Sequence, residues 1–328
     1  MQSSITSSIV IRVSGGIGTR PVPATVPAAT SVVAPATRSA YDWSAGWDGE
    51  DSSGASTIGR TGAADARQGA DLATAQAEVK DIRGFFSKLG VKDSEGNNAT
   101  AISIDPEYPN AAYDPSTDAL RIGVDPRDGT SFTAAPDVLA HEWSHRIVHH
   151  LAFGDDAKLQ PEDLAIDESL ADTFAAAYDP KNWTIGEALV HPVRNMAHPE
   201  RDTFENPGGH PGSVADYERM FTPGSDYMMQ AETNSGKIVE IPEPHALSAI
   251  PSKAASMIGD ALGRDTMAKI YMKTVRDYLR PGKEIEGLAA GTIKSAADLF
   301  GASSKEVAAT KHAWDAVGVL ELIKPEHQ

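Results

Sequence analysis

The chain contains no cysteine. That removes disulfides as a source of stability, and thiolates both as nucleophiles and as metal ligands, so any zinc site must be built from His, Asp and Glu. Nor does it contain an apolar run approaching the ~18–20 residues of a membrane span. Cations are scarce: 29 Lys and Arg face 46 Asp and Glu, a formal net charge of −17. An acidic surface repels nucleic acid and anionic membranes at long range, so neither is expected as a partner. The start, Met1-Gln2-Ser3-Ser4-Ile5, has no basic n-region, and Ile9-Val10-Ile11 ends at Arg12 before an apolar h-region can form. No secretory signal is therefore expected in this sequence.

What is present suits a globular protein. Hydrophobic residues make up 41% and charged residues 23%, a balance able to bury a core. Clustered carboxylates also suit hard cations such as calcium. Residues 1–37 repeat Pro, Ala, Thr and Val and read as an extended tail or linker. The Gly15-Gly16-Ile17-Gly18 cluster has no Lys-Ser/Thr after it and reads as linker, not as a phosphate loop.

From Ala63 to Leu89, apolar residues fall at helical spacing (Leu72, Ala75, Val79, Ile82, Phe86). Residues 99–134 alternate short apolar runs with Pro, Asp and Gly, as strands and turns do. From Pro136 onward the pattern is helical, over 136–153, 161–178, 246–262, 265–279, 288–300 and 304–317. The expectation is an α+β chain with two lobes: a mixed α/β lobe over 38–153 carrying a twisted sheet, and a mainly helical lobe over 154–328. A cleft between the lobes is the natural place for a site.

The chemistry centres on His141-Glu142-Trp143-Ser144-His145. Two His four residues apart on a helix lie about 40° apart around its axis and can share an ion. Glu142 lies ~100° round from His141, beside that ion, where it can take a proton from a metal-bound water. His145 and His149 are also four apart, but no Glu follows His145. A second helix near Pro161 carries Ile166-Asp167-Glu168-Ser169-Leu170-Ala171-Asp172. Glu168 can return to the same ion, and Asp172, one turn on, can accept the outer N–H of a liganding imidazole. Carboxylates among Leu170, Ala171 and Phe174 would be costly to bury without such a partner.

His141-Glu142-x-x-His145 followed by Ile166-Asp167-Glu168-Ser169-x-Ala171-Asp172 resembles the thermolysin family of glutamate-zincins. So do Pro109-Asn110-Ala111-Ala112-Tyr113-Asp114, Val193-Arg194-Asn195-Met196 with Pro199, and His245-Ala246-x-Ser248-x-Ile250-x-x-Lys253. The helical run from Leu262 to Val319 matches as well, so the likeness covers roughly Arg38 to Ile323. The resemblance implies a two-lobed secreted zinc endopeptidase, expected to be monomeric, with a peptide or protein as substrate and one catalytic Zn2+ on His141, His145 and Glu168. It makes Glu142 the general base and Asp172 the partner of His141. Asn110 and Ala111 become an edge strand for the peptide, Arg194 a contact to the substrate carbonyl, and His245 an oxyanion donor held by Glu240 or Glu243. An apolar pocket of Val138, Ile185, Val193 and Phe132 would select a hydrophobic residue on the leaving-group side.

The sequence departs from that family twice. No Tyr lies between Trp143 and Tyr178, where the family places a second oxyanion donor; losing one such donor costs on the order of 10²-fold in rate. Asp137 and Glu187 match calcium ligands, but Asn182 and Thr184 stand where carboxylates are usual, which weakens a Ca2+ site. Two other readings remain beside the active peptidase: a silent zinc-binding relative acting as an interaction module, and a toxin-type protease domain with a dedicated target.

Overall fold

The computed structural model describes residues 62–154, 159–190, 192–202, 208–232 and 237–323. The expectations for residues 1–37, and for the first part of the mixed lobe over 38–61, lie outside them. Helix α1 (Gly62–Lys88) turns Ala75, Val79, Ile82 and Phe86 into the core, each almost fully buried, as their three- and four-residue spacing implies. Strands β1 (Ala101–Ile104), β2 (Ala111–Asp114) and β3 (Ala119–Ile122) form one sheet in the order β1-β3-β2. The β1–β3 pair is parallel and the β2–β3 pair antiparallel, with Ala111 opposite Ile122. This leaves β2 as an edge strand.

Helix α2 (Pro136–Val148) starts on Pro136, whose missing N–H costs nothing at a helix start. It continues as a single π-helical turn over His149–Phe153 and stops at Gly154, whose φ of 75° suits glycine. Helix α3 (Pro161–Tyr178) returns antiparallel to it. After it come α4 (Val214–Met220), α5 (Pro244–Leu262), α6 (Arg264–Asp277), α7 (Ile285–Phe300) and α8 (Lys305–Ala316).

Every residue of α2 from Asp137 to Val148 is buried. The helix is enclosed by α1 and β2 on one side and α3 on the other, so its polar residues must find partners inside the protein. One is Arg146, 1% exposed, which donates to both Asp118 carboxylate oxygens at 2.5 and 2.6 Å and to the Gly96 and Asn98 carbonyls.

The later part of the chain is mainly helical, as expected. It carries two small antiparallel sheets, β4 (Thr184–Ile185) with β5 (Arg194–Asn195), and β6 (Met228–Glu232) with β7 (Ile238–Pro242). These strands are too short or too irregularly patterned to stand out against helical periodicity. Met229, Ala231 and Ile241 gain their burial by packing on Leu164 of α3. One continuous core, running through Leu139, Trp143 and Ile147, Ile166, Leu170 and Phe174, and Ile250, Ala254 and Ile258, ties α2, α3 and α5 together.

Candidate metal centre and active site

Antiparallel packing of α2 on α3 sets the site. His141 and His145 project from one face of α2, and Glu168 of α3 meets both: their ligand atoms lie within 4.8 Å of one another. The two Nε2 atoms are 3.0 Å apart, and Glu168 Oε2 is 3.3 Å from His141 Nε2. Tetrahedral zinc with bonds of ~2.0–2.1 Å has ligand-to-ligand edges of about 3.3 Å, so the spacing fits.

The hydrogen bonding fits as well. His141 Nδ1 meets Asp172 Oδ1 at 2.9 Å, and His145 Nδ1 meets Asp167 Oδ2 at 2.9 Å. With both Nδ1 protons given to carboxylates, two Nε2 lone pairs face each other and need a cation between them. Glu168 Oε2 is buried with no hydrogen-bond donor, consistent with an oxygen meant for an ion. The alternative pair, His145 and His149, does not gather such a set: among the described residues the cluster that could hold a metal is His141, His145 and Glu168.

The charges are strongly interdependent. Burial disfavours the His145 imidazolium, yet Asp167 and Glu168 raise its pKa to about 10. Burial likewise opposes ionisation of Glu168, but His245, His145 and His141 hold its carboxyl well below the usual range. Burial raises Glu142 above the ordinary carboxylate value, which suits a group that must accept a proton. The Tyr113 N–H on edge strand β2 donates to Glu142 Oε2 at 2.9 Å, fixing the carboxylate between the edge strand and the metal ligands.

The other expected residues are placed as follows. His245, on the first turn of α5, lies with Nε2 3.5 Å from Glu168 Oε1, and its Nδ1 is 2.8 Å from Glu243 Oε1. Glu243 is thus its orienting acid; Glu240 instead accepts from the Gly224 N–H. Arg194, on β5, pairs with Asp172 at 2.9 Å and reaches Glu168 at 3.6 Å. Ala111 is buried on β2, and Asn110, just before it, accepts the Gly123 N–H through its carbonyl and hydrogen-bonds the Tyr108 side chain. Val138, Ile185 and Phe132 are buried in the main core, and Val193 packs half-buried against it. In the segment expected to lack a phenol, Phe153 and Leu159 also pack on that core.

At the expected calcium position, Asp137 is buried and its carboxyl meets that of Glu187. Its two oxygens already accept the Val138 and Gly186 N–H groups. Asn182 Oδ1 accepts the Thr184 N–H, and its backbone carbonyl accepts the Arg264 guanidinium. Calcium needs six to eight oxygens, and those gathered here are largely engaged.

Two features escaped the sequence reading. Asp167 was visible in the motif, but its pairing with His145 depends on the helix register. His210, which burial pushes down to about 4, lies within electrostatic reach of Glu243, Arg194, His245 and Asp172; nothing in its local sequence signals that.

Fold and site together define a class: a helical pair carrying His-Glu-x-x-His and a third carboxylate, beside an edge strand. Residues 158–319 match the family described as thermolysin metallopeptidase, alpha-helical domain. The chain is 29% identical over 262 residues to bacillolysin of Brevibacillus brevis, covering 75% of this chain and 45% of that protein. It is 26% identical to neutral protease B of Bacillus subtilis (strain 168), covering 75% and 44%. The structure of the protealysin precursor, a metalloproteinase from Serratia proteamaculans, superposes with a TM-score of 0.61 at 24% identity, covering 76% of this chain and 79% of that one. By the family match, residues 158–319 are the alpha-helical domain of a thermolysin-type metallopeptidase. The chain spans less than half the length of these curated relatives.

Proposed function

We propose that this chain is a zinc-dependent endopeptidase, with residues 38–153 and 154–328 forming the two lobes of its cleft. The observation that carries the reading is the arrangement around Glu142. A buried carboxylate with a raised pKa, held by the Tyr113 N–H, sits beside a His141–His145–Glu168 cluster of zinc dimensions. His141, His145 and Glu168 would hold the ion; when bound, zinc supplies Lewis acidity that brings water near neutrality in pKa. Glu142 takes the proton of the attacking water and passes it to the leaving amine. The Asn110–Ala111 edge of β2 receives the peptide backbone as an added strand. His245, oriented by Glu243, donates to the developing oxyanion, and Arg194 acts on the substrate carbonyl as well as on Asp172.

A hydrophobic residue on the leaving-group side is the proposed preference, set by Val138, Val193, Ile185 and Phe132. Secretion and a monomeric state go with this reading. Among the described residues no helix is long and apolar enough to cross a membrane. At Asp137 and Glu187 we assign a shared proton, in place of the calcium ion the family resemblance suggested.

The test is cleavage of a protein substrate such as casein by the full chain, with and without a zinc chelator, beside Glu142→Ala and Glu142→Gln. Chelation should abolish cleavage and added zinc restore it. Both variants should keep zinc and lose ~10²–10⁴-fold in kcat. Cleavage by Glu142→Ala at the wild-type rate would sink the mechanism. A zinc-loaded wild type with no cleavage would favour the silent relative, to which the absent tyrosine points.

A further inference from the structure

The two ligand histidines are each backed by a carboxylate, and both carboxylates come from the helix that supplies the third ligand. On α2, His141 and His145 are one turn apart. On the antiparallel α3, Asp172 lies opposite His141 and Asp167 opposite His145, with the Nδ1-to-carboxylate distance 2.9 Å in both pairs. The two partners are not equivalent. Asp172 is 1% exposed and shares its charge with the Arg194 guanidinium, which donates to it from Nε at 3.0 Å and from Nη2 at 2.9 Å. Asp167 makes its one ion pair with His145, and its Oδ1 is buried without a hydrogen-bond partner. Its charge is not shared with a guanidinium, although its side chain is 19% exposed against 1% for Asp172. A purely helical role does not account for it, because Asp167 is the seventh residue of α3, past the first turn where acids favour the helix dipole.

We propose that Asp167 is a positioning residue of the metal centre and that its carboxylate charge acts on the ion through His145, in addition to the charge of Glu168. The inference rests on the metal reading above and extends it. A carboxylate on the outer nitrogen holds His145 in the tautomer that presents Nε2, fixes the ring plane, and makes that nitrogen a better donor to a dication. A neutral oxygen in the same place would do the first two and not the third. Asp172, partly neutralised by Arg194, contributes mainly orientation at His141.

The test compares full-length wild type, Asp167→Asn and Asp167→Ala in a zinc competition titration against a chromophoric chelator, with peptidase kcat and KM measured on the zinc-saturated proteins. Asn keeps an acceptor oxygen and loses the charge, so the zinc dissociation constant should rise about tenfold; Ala loses both, and the rise should approach ~100-fold. Far-UV circular dichroism should be unchanged in both, which separates a metal-positioning role from a folding one. Zinc affinities of both variants within about twofold of wild type would overturn the proposal. So would an Asn variant equal to wild type beside a weakened Ala variant, since that would assign the effect to the acceptor and not the charge. A wild type that holds zinc but cleaves no peptide would overturn the peptidase reading and leave this one standing.

Discussion

Replacing Asp137 by Asn should make the stability of the protein less sensitive to pH between about pH 6 and pH 8. In the wild type, burial and the adjoining Glu187 carboxyl raise the Asp137 pKa to about 7, while an unfolded Asp titrates near ~3.9. Because the folded value lies above the unfolded one, the stabilisation from proton uptake is complete below the unfolded pKa and lost as pH rises through about 7. Between about pH 6 and pH 8 that amounts to about 1.4 kcal/mol. For a chain of 328 residues it is about 2 °C in Tm. Asn is nearly isosteric, keeps one acceptor for the Gly186 N–H, gives up the one that Asp137 offers the Val138 N–H, and can donate to Glu187 without needing a proton.

The assay is urea or thermal unfolding of wild type and Asp137→Asn at several pH values, each with and without millimolar calcium. The metal-site histidines titrate in both proteins, so only the difference between the two profiles reports on Asp137. Wild type should lose about 1.4 kcal/mol more than the variant as pH rises across that window, and calcium should shift neither. Parallel profiles would refute a shared proton. A calcium-dependent rise in wild-type Tm that disappears in the variant would show that a cation, not a proton, joins the two carboxyls.

Two further substitutions probe the scaffold around the site. Arg146→Ala should cost about 2–4 kcal/mol in urea unfolding, because it leaves the Gly96 and Asn98 carbonyls without their donor, while Asp118, 42% exposed, keeps the Tyr113 hydroxyl. Lys at that position should not restore stability, since one ammonium cannot reproduce the guanidinium fork. Gly259→Ala should destabilise by about 1–2 kcal/mol even though Ala is the better helix former. A Cβ there would meet the Trp183 ring at 2.3 Å, and that ring carries the Arg264 guanidinium 3.1 Å from its centroid. A neutral or stabilising Gly259→Ala would show that the ring is free to move.

Much of the chemistry was legible in the sequence because it is written in helical spacing. His141 and His145 must share a face of any helix they occupy, with Glu142 beside them. The apolar stripes of α1, α3 and α5 and the proline starts of α2 and α3 follow from local rules that need no partner. The short strands were less legible: β4 and β5 have two residues each, too few for a periodicity, and β6 is buried by Leu164, more than 60 residues earlier in the chain.

What the sequence by itself determined is therefore the composition of the site: no thiolate, two histidines one turn apart, a base between them and a carboxylate further on. Tertiary packing decided how these are joined. Whether Asp167 or another acid backs His145, whether Glu240 or Glu243 orients His245, and which amide holds Glu142 depend on the register of α3 against α2, the corner at which α5 begins, and the edge of β2. The first and last of those choices are made by contacts 22 and 29 residues apart in the chain, about which local spacing carries no information, and the pairing of Glu243 with His245 by the turn that starts α5.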